Sequence, residues 1–464
     1  MTVQLESPAR GSVPIRLTTA AAWPGHAKAL PERTQRWLAA TGFSGAAYTH
    51  ALVPAADGGL GGVWAGVRDA ADPWLLAALP RALLPGHYHL DASAGMAAEA
   101  GAAALSWELG AYQFDLYKPR KREAATLSLP VTDAASRGLV QATAIAATRD
   151  LVNTPAEHLG PAELAAAVRI VARQHKAKVR EVVGDQLLAA GFPAIHAVGR
   201  AAARAPRLVE MTWARSAKSS DPLLTLVGKG VCFDSGGLDI KSADGMRLMK
   251  KDMGGAANVL GLAQMIMALA LPVRLQVLIP AVENAIAGNA FRPGDIFKTR
   301  AGLHIEIGNT DAEGRVILCD ALAYGAEAKP DLMIDMATLT GAARTALGPQ
   351  LPALFCRDMA MARELVDLGL AQRDPLWHMP LWPEYHGLIE SDIADIVNTG
   401  KGAMAGAITA ALFLDDFVPA RLPWLHLDLF AWNDSTRPGR PLGGEAQTLR
   451  TLLTWLERRY AESA

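Results

Sequence analysis

The chain has 464 residues, which is enough for two or three domains with an ample hydrophobic core. Its formal net charge of −1 gives no overall electrostatic reason to expect nucleic acid or an anionic membrane as the main partner. The three cysteines are scattered, which excludes a disulfide framework and paired-cysteine zinc sites and fits a reducing compartment. We see no signal peptide and no uncharged apolar run of about 20 residues, so we expect a soluble, cytoplasmic protein without a membrane span.

Residues 1–132 are expected to form a smaller N-terminal α/β domain. Pro31–Ala40 and Pro73–Leu84 are predicted helices, and Gly59–Val67 is a predicted strand preceded by turn glycines. A basic run, Lys118–Arg122, lies near the end of this domain. We interpret it as a solvated loop, and the alternative is a contact with an anion or with nucleic acid.

An alanine-rich segment, 133–152, predicts a connecting helix that ends at the Asn-Thr-Pro sequence following it. Residues 153–464 are expected to form a larger α/β domain, because short apolar strands alternate there with helical segments. This alternation predicts a mostly parallel central sheet covered by helices, with functional residues at the carboxyl ends of its strands. The main predicted elements are helices at Ala162–His175, Gly255–Leu271 and Ile317–Ala328, and strands at Val179–Val183, Leu223–Val227, Leu275–Ala281, Leu332–Asp335 and Leu425–Leu429.

Two glycine-rich stretches, 228–255 and 309–315, concentrate charged residues in the larger domain. The residues are Lys229, Asp234, Lys241, Asp252, Asp311, Glu313 and Arg315. Taken alone, Asp252, Asp311 and Glu313 each fit a charge at a helix start. Four carboxylates at one site repel unless cations lie between them, and a pair of divalent metals supplies that charge and can also perform hydrolysis. The combination therefore favours a metal-dependent hydrolytic site.

Other site types fit these stretches less well. No Ser or Thr follows Lys229, as a phosphate-binding P-loop requires, and the Rossmann glycine spacing is absent. There is no HExxH motif, and no histidine lies within either stretch, which argues against a histidine-based zinc site. A two-metal phosphoesterase remains a weaker alternative, because such sites usually include histidines.

Several segments closely resemble the leucine (cytosol) aminopeptidase family. They are Val227–Gly237, Lys250–Ala256 and Asn309–Arg315, together with Asp335–Ala342 and Arg149–Pro155. The resemblance covers roughly residues 140–464, and the heptad from 309 to 315 is close to diagnostic. The first domain carries no matching motif, although its length suits the variable N-terminal domain of the family.

The resemblance implies a two-metal exopeptidase. Its metal ligands would be Lys229, Asp234, Asp252, Asp311 and Glu313. Asp234 and Glu313 would bridge the two metals, Lys229 and Asp252 would complete the tighter site, and Asp311 would serve the exchangeable one. A metal-bound lysine must be neutral, which neighbouring cations favour. Oxygen-rich ligands suit Zn²⁺ or Mn²⁺, with Mg²⁺ and Co²⁺ also open.

By the same resemblance, a metal-bridged water attacks the first peptide bond of a substrate with a free N-terminus. Lys241 would polarise the scissile carbonyl, and Arg315 would hold a bicarbonate that accepts the proton. Leu339 would offer its carbonyl oxygen to the substrate amine. The other candidate substrate-binding residues are Met249, Asn309, Ala312, Thr338 and 403–406.

The resemblance also predicts the substrates and the assembly. It implies short peptides with Leu or Met at the N-terminus, and a homohexamer built as a dimer of trimers. The competing hypothesis is a DNA-binding architectural protein on the same fold, because some bacterial members of the family bind DNA. That function needs a basic surface stripe, for which Lys118–Arg122 is the single indication in the sequence.

Overall fold

The computed structural model of the protein describes residues 1–216 and 220–461. Two compact units make up the chain, and the division falls inside the helix that the sequence predicts between the domains. A short segment near the C-terminus groups with the first unit, although the sequence analysis assigned it to the larger domain. The first unit is Met1–Ala146 with Ser435–Leu442, and the second is Ala147–Asp434 with Gly443–Ala464.

The first unit contains one six-stranded sheet and four helices, the last of which continues into the second unit. The elements are β1 (Val3–Leu5), β2 (Val13–Thr18), α1 (Trp23–Lys28), α2 (Glu32–Ala40), β3 (His50–Pro54), β4 (Leu60–Gly66), β5 (His87–Leu90), α3 (Ala100–Ala111), β6 (Thr126–Leu129) and α4 (Asp133–Asn153). The strand order is β1-β6-β5-β2-β4-β3, and all neighbours run parallel except β3 and β4.

The helix predicted at 73–84 is wrong, because these residues form a series of tight turns. The Ala77 N–H, for example, donates to the carbonyl of Trp74 rather than to the residue four positions before it. Pro80 has no N–H, and its ring would clash with a helical carbonyl, so an α-helix cannot continue through it. The apolar side chains of the segment are nevertheless buried, including Leu79 and Leu83.

The second unit is built around a nine-stranded mixed sheet. Its elements are α5 (Pro161–His175), β7 (Lys178–Val183), α6 (Gln186–Ala189), α7 (Pro193–Gly199), β8 (Arg207–Ala214), β9 (Leu223–Gly228), β10 (Gly230–Asp234), α8 (Ala243–Met246), α9 (Gly254–Ala268), β11 (Arg274–Asn284), β12 (Ile296–Lys298), β13 (His304–Glu306), α10 (Glu313–Glu327), β14 (Leu332–Ala337), α11 (Gly341–Leu347), β15 (Ala353–Cys356), α12 (Met359–Gln372), β16 (Trp377–His378), β17 (Ile396–Val397), α13 (Gly406–Asp415), β18 (Trp424–Asp428), β19 (Trp432–Asn433), β20 (Gly443–Gly444) and α14 (Leu449–Ala461). Short 3₁₀ helices lie at Ala156–His158, Met249–Met253 and Pro383–Ile389.

The large sheet confirms the predicted α/β fold. Its order is β16-β15-β18-β14-β9-β11-β8-β7, with β10 added beside β11. The central neighbours β18, β14, β9 and β11 are parallel, and antiparallel pairs occur at β15–β18, β11–β8 and β8–β7. The central strands are almost continuously apolar and buried, as expected when helices cover both faces. Helices α9 and α10 both pack against β9.

The parallel strands bring their carboxyl ends to one edge of the sheet, where the charged residues collect. Lys229 follows β9, Asp234 ends β10, Thr338 follows β14, and Asp428 ends β18. Helix α10 begins at Glu313, four residues before the predicted start, so its first turn carries two of the candidate residues. No helix in the described part of the chain is both long and apolar enough to cross a bilayer.

Candidate active site

Lys229 lies at the centre of a buried ion-pair cluster. Its side chain is 3% exposed, and Nζ lies 2.7 Å from Asp252 Oδ2 and 2.9 Å from Glu313 Oε1. The same amine donates a 3.0 Å hydrogen bond to the Thr338 carbonyl oxygen. A Cβ at Gly314 would come within 2.6 Å of Lys229 Cε, so a larger residue in the first turn of α10 would displace the lysine amine from its partners. Three other segments of the chain thus converge on this one amine.

A second cluster surrounds Asp234 at the end of β10. Lys241 Nζ lies 2.7 Å from Asp234 Oδ2 and also contacts Asp311 Oδ1. Asn284 Nδ2 and the Gly236 N–H each donate to Asp234 Oδ1 at 2.9 Å. Gly236 has a φ of +88°, a left-handed conformation that favours glycine, and this turn brings the following residues back toward the carboxylate.

Three of the carboxylates fit a divalent metal. One oxygen each of Asp234, Asp252 and Glu313 lies within 4.8 Å of the others, and all three residues are buried. Glu313 Oε2 has no hydrogen-bond partner among the described residues, and Oε1 has only the ion pair with Lys229. Burying carboxylate oxygens without such partners is costly, and a bound cation would satisfy them. Asp311 is not part of this trio and connects to it through Lys241.

The charged groups in the cluster strongly shift one another's pKa values. Burial opposes the charged form of Lys229, but the carboxylates of Asp252, Glu313 and Asp234 outweigh it and raise its pKa. Burial, followed by the charge of Asp234, raises the pKa of Glu313 well above its ordinary value. Burial and the same charge raise the pKa of Asp311 to about 6, against the opposing effect of Lys241. The site therefore holds more carboxylates than its two lysines can neutralise, which favours binding of further cations.

Arg315 is a buried cation in the first turn of α10. It is 8% exposed and lines the cavity described below, and its Nε has no hydrogen-bond partner among the described residues. Burial lowers its pKa to about 10, and the charges of Glu313 and Asp428 oppose this. No carboxylate oxygen of the described chain lies within 4.0 Å of its guanidinium. An unpaired guanidinium beside a cavity suits a small anion.

The clusters open into a cavity of about 530 Å³. Lys229, Asp234, Lys241, Asp252, Asp311 and Arg315 all line it, and so do Met249, Thr338, Leu339 and Gly406 among the predicted substrate-binding residues. Glu313 is not among the lining residues and contacts Lys229, which is. The structure therefore brings together six of the seven charged candidates at one cavity surface, and the seventh, Glu313, contacts one of them.

Asn309, Ala312 and 403–405 are not among the lining residues. Asn309 instead holds the loop before α10, because its Oδ1 accepts a 2.7 Å hydrogen bond from the Asp311 N–H. Asn398 Nδ2 donates to the carbonyl oxygens of Asn309 and Ala312 at 2.8 and 3.3 Å. Through these hydrogen bonds, Asn309 and Ala312 help to position the loop that carries Asp311.

Sequence reasoning missed several residues of the cavity. Lys251, Arg344, Asp428 and Phe430 line it, although no motif marked them as functional. Asp428 accepts hydrogen bonds from the Leu339 and Thr340 N–H groups and from Thr340 Oγ1, at 3.0, 3.2 and 2.6 Å, so it holds the loop after β14 in place. Burial lowers the pKa of Lys251 to about 8. The sequence carried one signal for Asp428, which is its place near the end of the predicted strand Leu425–Leu429, at the edge where the other charges collect.

Comparison with known proteins places the chain in a family. Residues 146–453 match the family model described as cytosol aminopeptidase family, catalytic domain, and residues 13–130 match the M17 aminopeptidase N-terminal domain. A probable cytosol aminopeptidase of Roseiflexus castenholzii is 42% identical over 362 residues, which is 74% of this chain and 73% of the relative. One from Geobacter sp. strain M21 is 41% identical over 368 residues, or 76% and 74% of the two chains.

Solved structures agree with this assignment. The cytosol aminopeptidase of Coxiella burnetii has a TM-score of 0.93, with 48% identity over 99% of both chains. The bottromycin maturation enzyme BotP in complex with Mn has a TM-score of 0.86, with 33% identity over 97% of this chain and 100% of that one. With a cavity that gathers the matching motifs and carboxylates that fit a metal, the chain belongs to the cytosol aminopeptidase family of metal-dependent aminopeptidases.

Proposed function

We propose that the protein releases N-terminal Leu- or Met-like residues from short peptides at a centre of two divalent metals. The observation that carries the proposal is the buried trio of Asp234, Asp252 and Glu313, in which Glu313 Oε2 has no hydrogen-bond partner among the described residues and Oε1 has only the ion pair with Lys229. Asp234 and Glu313 would bridge the metals, Lys229 and Asp252 would complete one site, and Asp311 would serve the other. Zn²⁺ and Mn²⁺ both suit these ligands, and the Mn complex of BotP supports the second.

The two lysines would have different roles. Lys229 is protonated while it pairs with Asp252 and Glu313, so it must release the proton on Nζ before it can act as a ligand. Lys241 pairs with Asp234 and borders the cavity, where its ammonium would stabilise negative charge on the scissile carbonyl oxygen. When bound, two divalent cations would acidify a water and polarise the carbonyl.

Specificity for a free N-terminus would come from the loop after β14. Leu339 borders the cavity, and its backbone is held by the bond to Asp428, so its carbonyl oxygen is a suitable acceptor for the substrate amine. Met249 and Thr338 would contact an apolar side chain of the first residue. Asn309 and Ala312 would contribute through the loop that they support.

Arg315 would hold a bicarbonate that accepts a proton during the reaction. The support for this role is its burial beside the cavity without an ion-pair partner in the described chain. We further propose a homohexamer arranged as a dimer of trimers and a cytoplasmic location. The second proposal is supported by the description of the relatives as cytosol aminopeptidases.

The test is hydrolysis of leucine 4-nitroanilide by metal-stripped protein supplied with Mn²⁺ or Zn²⁺. We expect metal-restored activity that falls more than about 100-fold in Asp234→Asn, since even outer partners of metal ligands contribute about 10- to 100-fold. Asp244→Asn, which removes an exposed carboxylate from the same stretch, is the matched control and should retain activity. N-acetyl-leucine 4-nitroanilide should not be cleaved. Wild-type protein that binds metal and cleaves neither compound would contradict the proposal.

A further inference from the structure

Lys251 is a cation of the cavity that the proposed reaction does not use. It is 5% exposed and lines the cavity, yet its amine has no hydrogen-bond or ion-pair partner among the described residues. Its Nζ lies 4.9 Å from the ring centroid of Phe430. A buried ammonium held mainly by an aromatic face lacks the anionic partner that such a charge normally requires.

A second cation contacts the same ring. The guanidinium carbon of Arg344 lies 4.8 Å from the Phe430 centroid, and Arg344 also lines the cavity, at its exposed side. Two cations on one ring repel each other, and an anion beside them would be attracted to both. We call Lys251, Arg344 and Phe430 the cationic end of the cavity.

The carboxylates nearest to this end are engaged elsewhere. Asp252 pairs with Lys229 at 2.7 Å and accepts a 2.7 Å hydrogen bond from Thr338 Oγ1. Asp428 uses both oxygens to accept hydrogen bonds from the loop after β14. Neither carboxylate forms an ion pair with Lys251 or Arg344 in the described chain, although the charges of both oppose the effect of burial on the pKa of Lys251. The positive charge of the cationic end therefore remains for a ligand.

We propose that the cationic end binds the side-chain carboxylate of an N-terminal glutamate, so that the protein also accepts acidic first residues. The proposal rests on the proposed aminopeptidase function, in which the loop at Leu339 receives the substrate amine. Leu339 lines the same cavity as the cationic end, and Asp428, which accepts from the Leu339 N–H, precedes Phe430 by two residues. We therefore place the side chain of a residue bound at Leu339 against the cationic end. Met249 and Phe430 supply apolar surface for the two methylenes, and Lys251 with Arg344 supplies the charge for the carboxylate.

Glutamate and glutamine 4-nitroanilides test this proposal, because they differ in charge and hardly in shape. We expect wild-type protein to show a higher kcat/KM for the glutamate compound. In Lys251→Met the ratio of glutamate to glutamine should fall roughly 10- to 100-fold, the loss expected for a hydrogen bond to a charged group. Arg344→Gln should lower the ratio less, because its side chain is exposed. These substrates carry no C-terminal carboxylate, so that group cannot produce the effect.

Lys250→Met is the matched control, because it removes a neighbouring lysine that does not line the cavity and that donates to the Asn153 carbonyl oxygen. Activity on leucine 4-nitroanilide monitors folding and chemistry in every variant. An unchanged ratio in Lys251→Met, or a wild-type preference for glutamine, would overturn the acidic subsite while leaving the proposed function intact.

Loss of all turnover in the wild type would instead contradict the proposed function. In that case, calorimetric measurement of the binding of free glutamate and glutamine tests the acidic subsite independently of turnover. Preferential binding of glutamate that is lost in Lys251→Met supports the subsite, and equal binding of the two amino acids overturns it.

Discussion

Glu313→Gln should remove a buried charge that the proposed metal site needs but that does not stabilise the metal-free fold. At an effective dielectric constant of about 20, the ion pair of Glu313 with Lys229 at 2.9 Å is worth about 6 kcal/mol. Repulsion from Asp234 and Asp252, whose oxygens lie within 4.8 Å, costs about 3.5 kcal/mol each or more. The two effects nearly cancel, and burial further disfavours the charge. We therefore expect the metal-free variant to be as stable as the wild type, or more stable by about 1–2 kcal/mol.

The raised pKa of Glu313 also predicts how the free energy of unfolding changes with pH. Burial and the charge of Asp234 raise the pKa of Glu313 in the folded protein above its ordinary value of 4.5. The folded state then holds the proton more tightly than the unfolded state, so the free energy of unfolding falls as pH rises above 4.5 toward the folded pKa. Each unit of the rise costs about 1.4 kcal/mol at pH values above both pKa values. Glu313→Gln removes this decline.

Urea unfolding of metal-stripped protein at several pH values from 4.5 to 8 measures the effect, and thermal unfolding with and without Mn²⁺ measures metal binding. The wild type should gain about 2.7 kcal/mol at a metal concentration of 100 times the Kd, and the variant should gain little. Activity should fall by more than about 100-fold. A metal-free variant destabilised by more than about 3 kcal/mol, or one that keeps activity and the stabilisation by metal, would refute this reasoning.

Three further changes test other parts of the site. Gly314→Ala places a methyl group within 2.6 Å of Lys229 Cε, so it should destabilise the protein by about 1–3 kcal/mol and lower metal affinity in calorimetry; an unaffected affinity would contradict this. Arg315→Gln should reduce kcat about 100-fold and abolish any response to added bicarbonate in a rate assay, whereas a retained response would exclude the proposed role. Asp335→Asn breaks a buried 2.6 Å pair with His426 and should cost about 3–5 kcal/mol in urea unfolding. Burial opposes protonation of His426 but Asp335 outweighs it and raises its pKa, so this loss should be full below pH 6.5 and shrink as pH rises through the folded pKa.

Local patterns were sufficient for much of the fold. Helix α5, strand β9 and strand β11 agree with the sequence predictions to within a few residues, because an apolar period or a continuous apolar run marks each of them. The segment 73–84 shows the limit of this reasoning. Its composition is apolar like that of a helix, but the backbone constraint of Pro80 and the burial of its leucines produce turns.

By itself, the sequence determined the family, the fold class and the charged residues that meet at the carboxyl edge of the sheet. These follow from local motifs and from the rule that the carboxyl ends of parallel strands meet at one edge of a sheet, neither of which requires coordinates. Only the tertiary structure decided which charged residues form ion pairs. Lys229 pairs with Asp252 and Glu313, and Lys241 pairs with Asp234 and Asp311. The tertiary structure also decided that Lys251 lies against Phe430, which is far away in sequence, because burial and the packing of distant segments are properties of the folded chain.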